Sequence, residues 1–195
     1  MGYNLRGLNP TGNKEKVENE LNKFRKYRGK IEHGLKEKYD LTDEELYFEV
    51  INILYNIKRS EPGVYERFSM WTWGPLWTFC EQVGRDIIPK NIDSTKTKSW
   101  GLNQKKSINL ANRLKEGLES SEFDVYEKWF NEMGKDFINM KYHSYEIHRK
   151  NLELMRTDGF KYITPYKDYY FDKKIVKMFI RFLENCGGFV VEEFN

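Results

Sequence analysis

Cysteine is nearly absent: Cys80 and Cys186 are the only two. Two thiols cannot form a disulfide framework and cannot complete a zinc site alone. A reduced, cytoplasmic setting is therefore the expectation. Long apolar runs are missing as well, which excludes a membrane span of about 18 residues or more, and Met1 to Leu8 holds no secretory apolar core. Net charge is low, with 33 basic against 30 acidic residues, or +3. That balance is too weak to imply nucleic acid by itself. The phosphate-cradling patterns G-x-x-x-x-G-K-[ST] and G-x-G-x-x-G and the nucleophile elbow G-x-S-x-G do not occur. Histidine is scarce at three residues. His143 and His148 stand five apart, so on a helix they diverge by roughly 140° and do not form the one-sided pair of a zinc protease. Cys80 falls in an apolar helical phase with no histidine nearby in sequence, which favours a buried structural thiol over a nucleophile. No catalytic residue, metal site or cofactor is expected.

Aromatic residues are abundant: 13 Tyr, 13 Phe and 5 Trp in 195 residues. A chain of this size buries about 70% of its unfolded surface, so one domain with its own core is expected over residues 1–195. The periodicity predicts a mainly α protein: a single helical bundle around an aromatic core, with a minor β-element at the termini. Met1 to Gly12 reads as extended. A first helix starts at Asn13, carrying Val17, Leu21, Phe24 and Ile31 on one face, and Gly29 and Gly34 weaken its end. A second starts at Thr42, where Thr42 and Glu45 have capping-box spacing and Leu41 and Leu46 staple spacing. A third is expected from Pro75 to Pro89, and a fourth from Asn103 to Glu119 with Ile108, Ala111, Leu114 and Leu118 in phase. The fifth runs from Ser121 towards Met155. The last spans Asp172 to Gly187, with Ile175, Phe179, Phe182 and Leu183 inward. Phe189-Val190-Val191 reads as a strand paired with Tyr3 to Leu5.

The densest signal is the stretch from Gly63 to Trp77, which holds Trp71, Trp73 and Trp77 behind Tyr65 and Phe68. Extended backbone would put Trp71 and Trp73 on one face. The tryptophans read either as a core hub or as a recognition surface, with Arg67 and Arg85 placed for phosphate or carboxylate. A second candidate surface is the basic run from Ile87 to Lys115. It holds Lys90, Lys96, Lys98, Lys105, Lys106, Arg113 and Lys115 against Asp93 alone, around Trp100. Lysines around an aromatic suit backbone contact plus base stacking.

Three segments also carry a resemblance. Met1 to Pro10 (MGYNLRGLNP), Gly63 to Trp77 with its WTWGPLW, and Phe182 to Phe189 (FLENCGGF) are similar, in that order, to motifs of a family of uncharacterised bacteriophage and prophage proteins. Trp100-Gly-Leu-Asn resembles that family's middle block more loosely. Gly74 stands where the family pattern has arginine, so no anion-binding role is carried to that position. Residues 13–60 read as an inserted helical pair, leaving 61–195 as the family-like core, and the cysteine pairs of some relatives are absent. The resemblance implies a phage or mobile-element origin, hence the host cytoplasm, and supplies no activity.

Three functions follow as expectations. The first is a non-enzymatic accessory protein that binds a host protein and inhibits a defence system, because Tyr, Trp and Arg dominate interface hot spots. The second is a nucleotide or nucleic-acid binder using the basic run. The third is an enzyme whose site is assembled across helices.

Overall fold

The computed structural model describes residues 2–89, 100–134 and 171–194. They are mainly helical around a small antiparallel sheet. Strand β1 (Gly2–Gly7) is followed by α1 (Lys14–Tyr39), α2 (Asp43–Lys58), β2 (Tyr65–Ser69) and α3 (Met70–Val83). Then come β3 (Trp100–Asn103), α4 (Gln104–Glu119), α5 (Glu122–Trp129) and a π-turn (Phe130–Gly134). Helix α6 (Lys173–Asn185) leads into β4 (Gly188–Phe194). The strand order is β2-β1-β4-β3.

The expected pairing of the first and last strands is found at the centre of the sheet, with Leu5 opposite Val191. The sheet is nonetheless larger than a terminal pair. Tyr65–Ser69 joins beside β1 and Trp100–Asn103 beside β4. Both added strands are short, and neither carries enough alternation to stand out from its aromatic surroundings.

Alternation then sorts the sheet into two faces. Tyr3, Leu5, Phe68, Leu102, Phe189 and Val191 face inward and are buried beneath α3, α4 and α6. Helix α6 delivers Ile175, Val176, Phe179, Ile180, Phe182 and Leu183 to that core. Phe179 packs edge-on against Phe68, Trp73 and Phe189. The Asp172 carboxylate accepts from the Ile175 amide at the start of α6, as its N-cap position requires. The Tyr126 hydroxyl donates to the Pro75 carbonyl at 2.8 Å, tying α5 to α3.

Helix α3 differs from the expectation in where it starts. Ser69 is its N-cap, accepting from the Thr72 amide, and Pro75 lies inside the helix rather than at its first turn. Trp71 and Trp73 therefore do not sit on an extended segment. Helical geometry instead places Trp73 and Trp77 four residues apart on one face. Their rings stack at 5.4 Å and both are 0% exposed. Burying two indoles outweighs the one amide that Pro75 cannot donate.

Two other expectations also shift. Helix α1 keeps its two weakening glycines, Gly29 and Gly34, but runs past them to Tyr39, spanned by the Arg28–Glu32 ion pair and closed by Asp40 in the left-handed region. Ile108 is 40% exposed rather than inward, because the inward stripe of α4 is Ser107, Leu110, Ala111, Leu114 and Gly117. The fifth helix is seen as α5 plus the π-turn, and its continuation towards Met155 lies outside the described residues.

Helices α1 and α2 form a hairpin between the neighbouring strands β1 and β2. The Thr42 capping box is formed in full. Val17, Leu21, Phe24, Val50 and Tyr65 are buried but belong to none of the main core's packing. The hairpin is fastened at both ends by ion pairs. Lys16 meets Glu61 at 2.6 Å and Lys36 meets Asp43 at 2.8 Å. After α2 the chain turns at Gly63, whose φ is +72°, and a Cβ there would lie 2.1 Å from the Asn185 carbonyl oxygen.

Candidate functional site

The sheet's second face is turned away from the main core and presents Asn4 and Arg6 from β1, with Tyr65 and Arg67 from β2. The last two turns of α2 lie over this face and add Tyr55 and Lys58. Tyr55 and Tyr65 stack almost parallel, at 6.2 Å and 7°. The Arg67 guanidinium lies over the Tyr55 ring at 4.4 Å. The Lys58 ammonium is 5.0 Å from the Tyr65 centroid and 5.7 Å from that of Tyr55. Two cations thus share one pair of rings, a geometry each ring's negative face favours.

The electrostatics of this cluster are unbalanced. Arg6 is paired with Glu192 at 2.9 Å, and Arg59 with Glu66. Among the described residues, neither Lys58 nor Arg67 has a carboxylate partner. Burial, with Arg6 and Arg25 nearby, pushes the Lys58 ammonium below the usual lysine range. Burial likewise lowers Arg67. The Tyr65 hydroxyl donates to the Asn4 side-chain carbonyl, and burial raises its pKa to about 12, so it stays a donor.

Arg67 also anchors the sheet edge. The amide of Gly7 donates to the carbonyl of Val64, so the backbone groups of Glu66 and Phe68 turn towards β1 and those of Arg67 turn outward. The Glu66 carboxylate accepts from the outward Arg67 amide at 3.0 Å. The Arg59 guanidinium donates to the outward Arg67 carbonyl at 2.7 Å. Burial raises the Glu66 carboxyl above the usual range, against the pull of Arg59.

The expected site residues do not converge. Trp73 and Trp77 are core, with no exposed ring face, and among the described residues neither indole N–H has a hydrogen-bond partner. Trp71 and Trp100 are half-buried against that core. Arg85 is exposed beyond the end of α3. Lys105 and Lys106 lie at the start of α4, where Asn103, Gln104, Lys105, Ile108 and Asn109 line an open depression of about 490 Å3. Lys96 and Lys98 lie outside the described residues, as do His143 and His148. Arg67 and Trp100 occupy opposite edges of the four-stranded sheet, about 14 Å apart at one strand spacing per step. Arg113 and Lys115 of the basic run are paired with Asp86 and Glu184.

Of the residues in the cluster, sequence reasoning singles out Arg67 alone. Tyr65 and Arg67 alternate on one strand, and Tyr55 and Lys58 share a helix face, but nothing local says that α2 covers β2. Searches against family models, curated proteins and solved structures find no match to this chain. Among the described residues, no group of three or more His, Cys, Asp or Glu could hold a metal ion, and no helix is long and apolar enough to cross a membrane.

Proposed function

We propose that the chain is a non-enzymatic accessory protein of phage or mobile-element type that binds a protein of the host cell, and that the α1–α2 hairpin is its binding arm. One observation carries this reading. Among the described residues, seven large apolar side chains are left exposed, and every aromatic one of them is on the hairpin: Tyr27, Tyr39, Tyr47 and Phe48. The other aromatics whose burial is described are buried or half-buried. Exposed aromatics grouped on one element mark a contact surface, because truncating such anchors costs about 2 kcal/mol or more in an interface. Tyr47 and Phe48 sit edge-to-face in the first half of α2 and are more than half exposed, so burial in this fold does not account for them.

The test is purification of the tagged chain from host cells, followed by an affinity measurement with the partner obtained. Tyr47→Ser with Phe48→Ser should weaken that affinity at least about tenfold while thermal unfolding stays as in the parent. An unchanged affinity overturns the hairpin reading. Lys105 and the open depression at the start of α4 favour the second reading, a nucleotide or nucleic-acid surface. That reading requires steeply salt-dependent binding that Lys105→Gln with Lys106→Gln reduces. No binding at ~50 mM salt eliminates it.

A further inference from the structure

We infer that the Tyr55–Lys58–Tyr65–Arg67 cluster is a subsite for the carboxylates of an acidic, partly apolar segment of the bound protein. The inference rests on the reading of the chain as a protein-binding molecule and names the chemistry that one part of its surface selects. Among the described residues these two half-buried cations meet no anion, and the ring faces make up only part of the hydration they lose. Here both cations are held against stacked rings, so they are positioned rather than free to swing into solvent. Arg6 is already paired with Glu192, and Glu66 is paired with Arg59, so no carboxylate of the cluster is left for Lys58 or Arg67. A planar guanidinium and an ammonium beside aromatic rings match carboxylates carried on a chain that also offers apolar side chains.

The acidic far end of α2 disfavours a long polyanion. Helix α2 begins with Asp43, Glu44 and Glu45, and Glu49 follows on the same helix. A nucleic-acid strand laid along the cluster would meet those charges, whereas a segment with a few spaced carboxylates need not. Tyr47 lies within electrostatic reach of Arg67 and on the same helix as Tyr55 and Lys58, so the cluster borders the exposed aromatic surface of α2.

The probe is a short dye-labelled peptide alternating glutamate and leucine, with its glutamine counterpart as control, added to the full chain at ~50 mM salt. The glutamate peptide should bind saturably and the glutamine peptide should not. Lys58→Gln with Arg67→Gln should weaken binding at least about tenfold, and Arg67→Lys by less, since charge remains and planarity is lost. In the parent protein, the Lys58 ammonium should titrate at higher pH once peptide is bound, a readout that needs no variant to fold. Equal binding of the two peptides overturns the inference, as does unchanged affinity in the double variant. So does single-stranded DNA that displaces the peptide at lower concentration. If the peptide fails while a host protein is still lost on Tyr47→Ser with Phe48→Ser, only the carboxylate subsite is wrong. If the peptide binds but no such partner exists, the functional reading is wrong instead.

Discussion

Arg59 and Glu66 form an ion pair that closes over the outer edge of the sheet, each side chain also holding one backbone group of Arg67. Between them they supply the acceptor and the donor that a fifth strand would bring. Open strand edges invite pairing with other chains, and charged residues are a common way of blunting them. Here the blunting is done by hydrogen bonds as well as by charge.

Removing both partners should therefore change association more than folding. Arg59→Ala with Glu66→Ala leaves the Arg67 amide and carbonyl open, and the variant should self-associate with rising concentration in sedimentation. Arg59→Ala alone should destabilise by roughly 1–3 kcal/mol, because it strands a half-desolvated carboxylate. It should also raise the Glu66 carboxyl further, since Arg59 is the first influence holding it down. A monomeric double variant at all concentrations would show that the pair does not guard the edge.

Acid should loosen the hairpin before the core. Lys36 holds the Asp43 carboxyl below its usual range, Thr42 does so for Glu45, and Lys16 with the Asn13 amide does so for Glu61. A carboxyl lowered by folding contributes stability above its unfolded pKa of about 4 and loses it as pH falls through the folded value. All three fasten α1 or α2. Glu66 has the opposite sign: its carboxyl is raised, so its penalty is relieved as pH falls through that raised value. No tryptophan lies on α1 or α2. Protection of the α1 and α2 amides against exchange, taken relative to their intrinsic rates at each pH, should thus fall below about pH 4 while tryptophan fluorescence still reports a folded core. Simultaneous loss of both signals would show that the hairpin and core unfold together.

Glycine replacements should divide by sign. At Gly29 and Gly34 a Cβ would meet nothing within 4 Å, so alanine at each should stabilise by about 0.5–1 kcal/mol through helix propensity. At Gly63 the left-handed backbone and the Asn185 carbonyl 2.1 Å from the added carbon should make alanine destabilising. Thermal midpoints moving the same way at all three positions would contradict these local geometries.

Trp77→Ala should cost about 3–5 kcal/mol, as for other buried aromatic truncations, because the indole is 0% exposed and stacks on Trp73. An unfolding midpoint equal to the parent's would remove Trp77 from the core.

The parts of the fold legible in the sequence are those set by local rules. The capping box at Thr42, the N-cap at Asp172 and the inward stripe of α6 each depend on residues within one or two turns. The mainly helical class follows from such stripes. Helix α3 is misread at its start because Pro75 is a strong local signal, and only the burial of Trp73 and Trp77 by distant elements overrides it. Strands β2 and β3 are missed for a related reason: each exists because β1 or β4 lies beside it. The site is the least legible part. Arg67 and Lys58 belong to elements whose contact is fixed by the hairpin's return across the sheet, and no spacing along the chain encodes that.

The register that sets Gly2 opposite Phe194 has a further meaning for how the molecule assembles. The two ends of the described chain stand one strand spacing apart, about 5 Å, while nearly the whole sequence separates them. The central pairing of the sheet is thus its most distant contact, the kind whose loop-closure entropy slows folding most. A tight turn joining those ends would make that pairing a local hairpin. New ends could then be cut in the exposed link between α1 and α2, where Asp40 already leaves helical geometry. A permuted chain of this kind would keep every contact of the sheet and reverse the order in which its centre and its β2 edge can form.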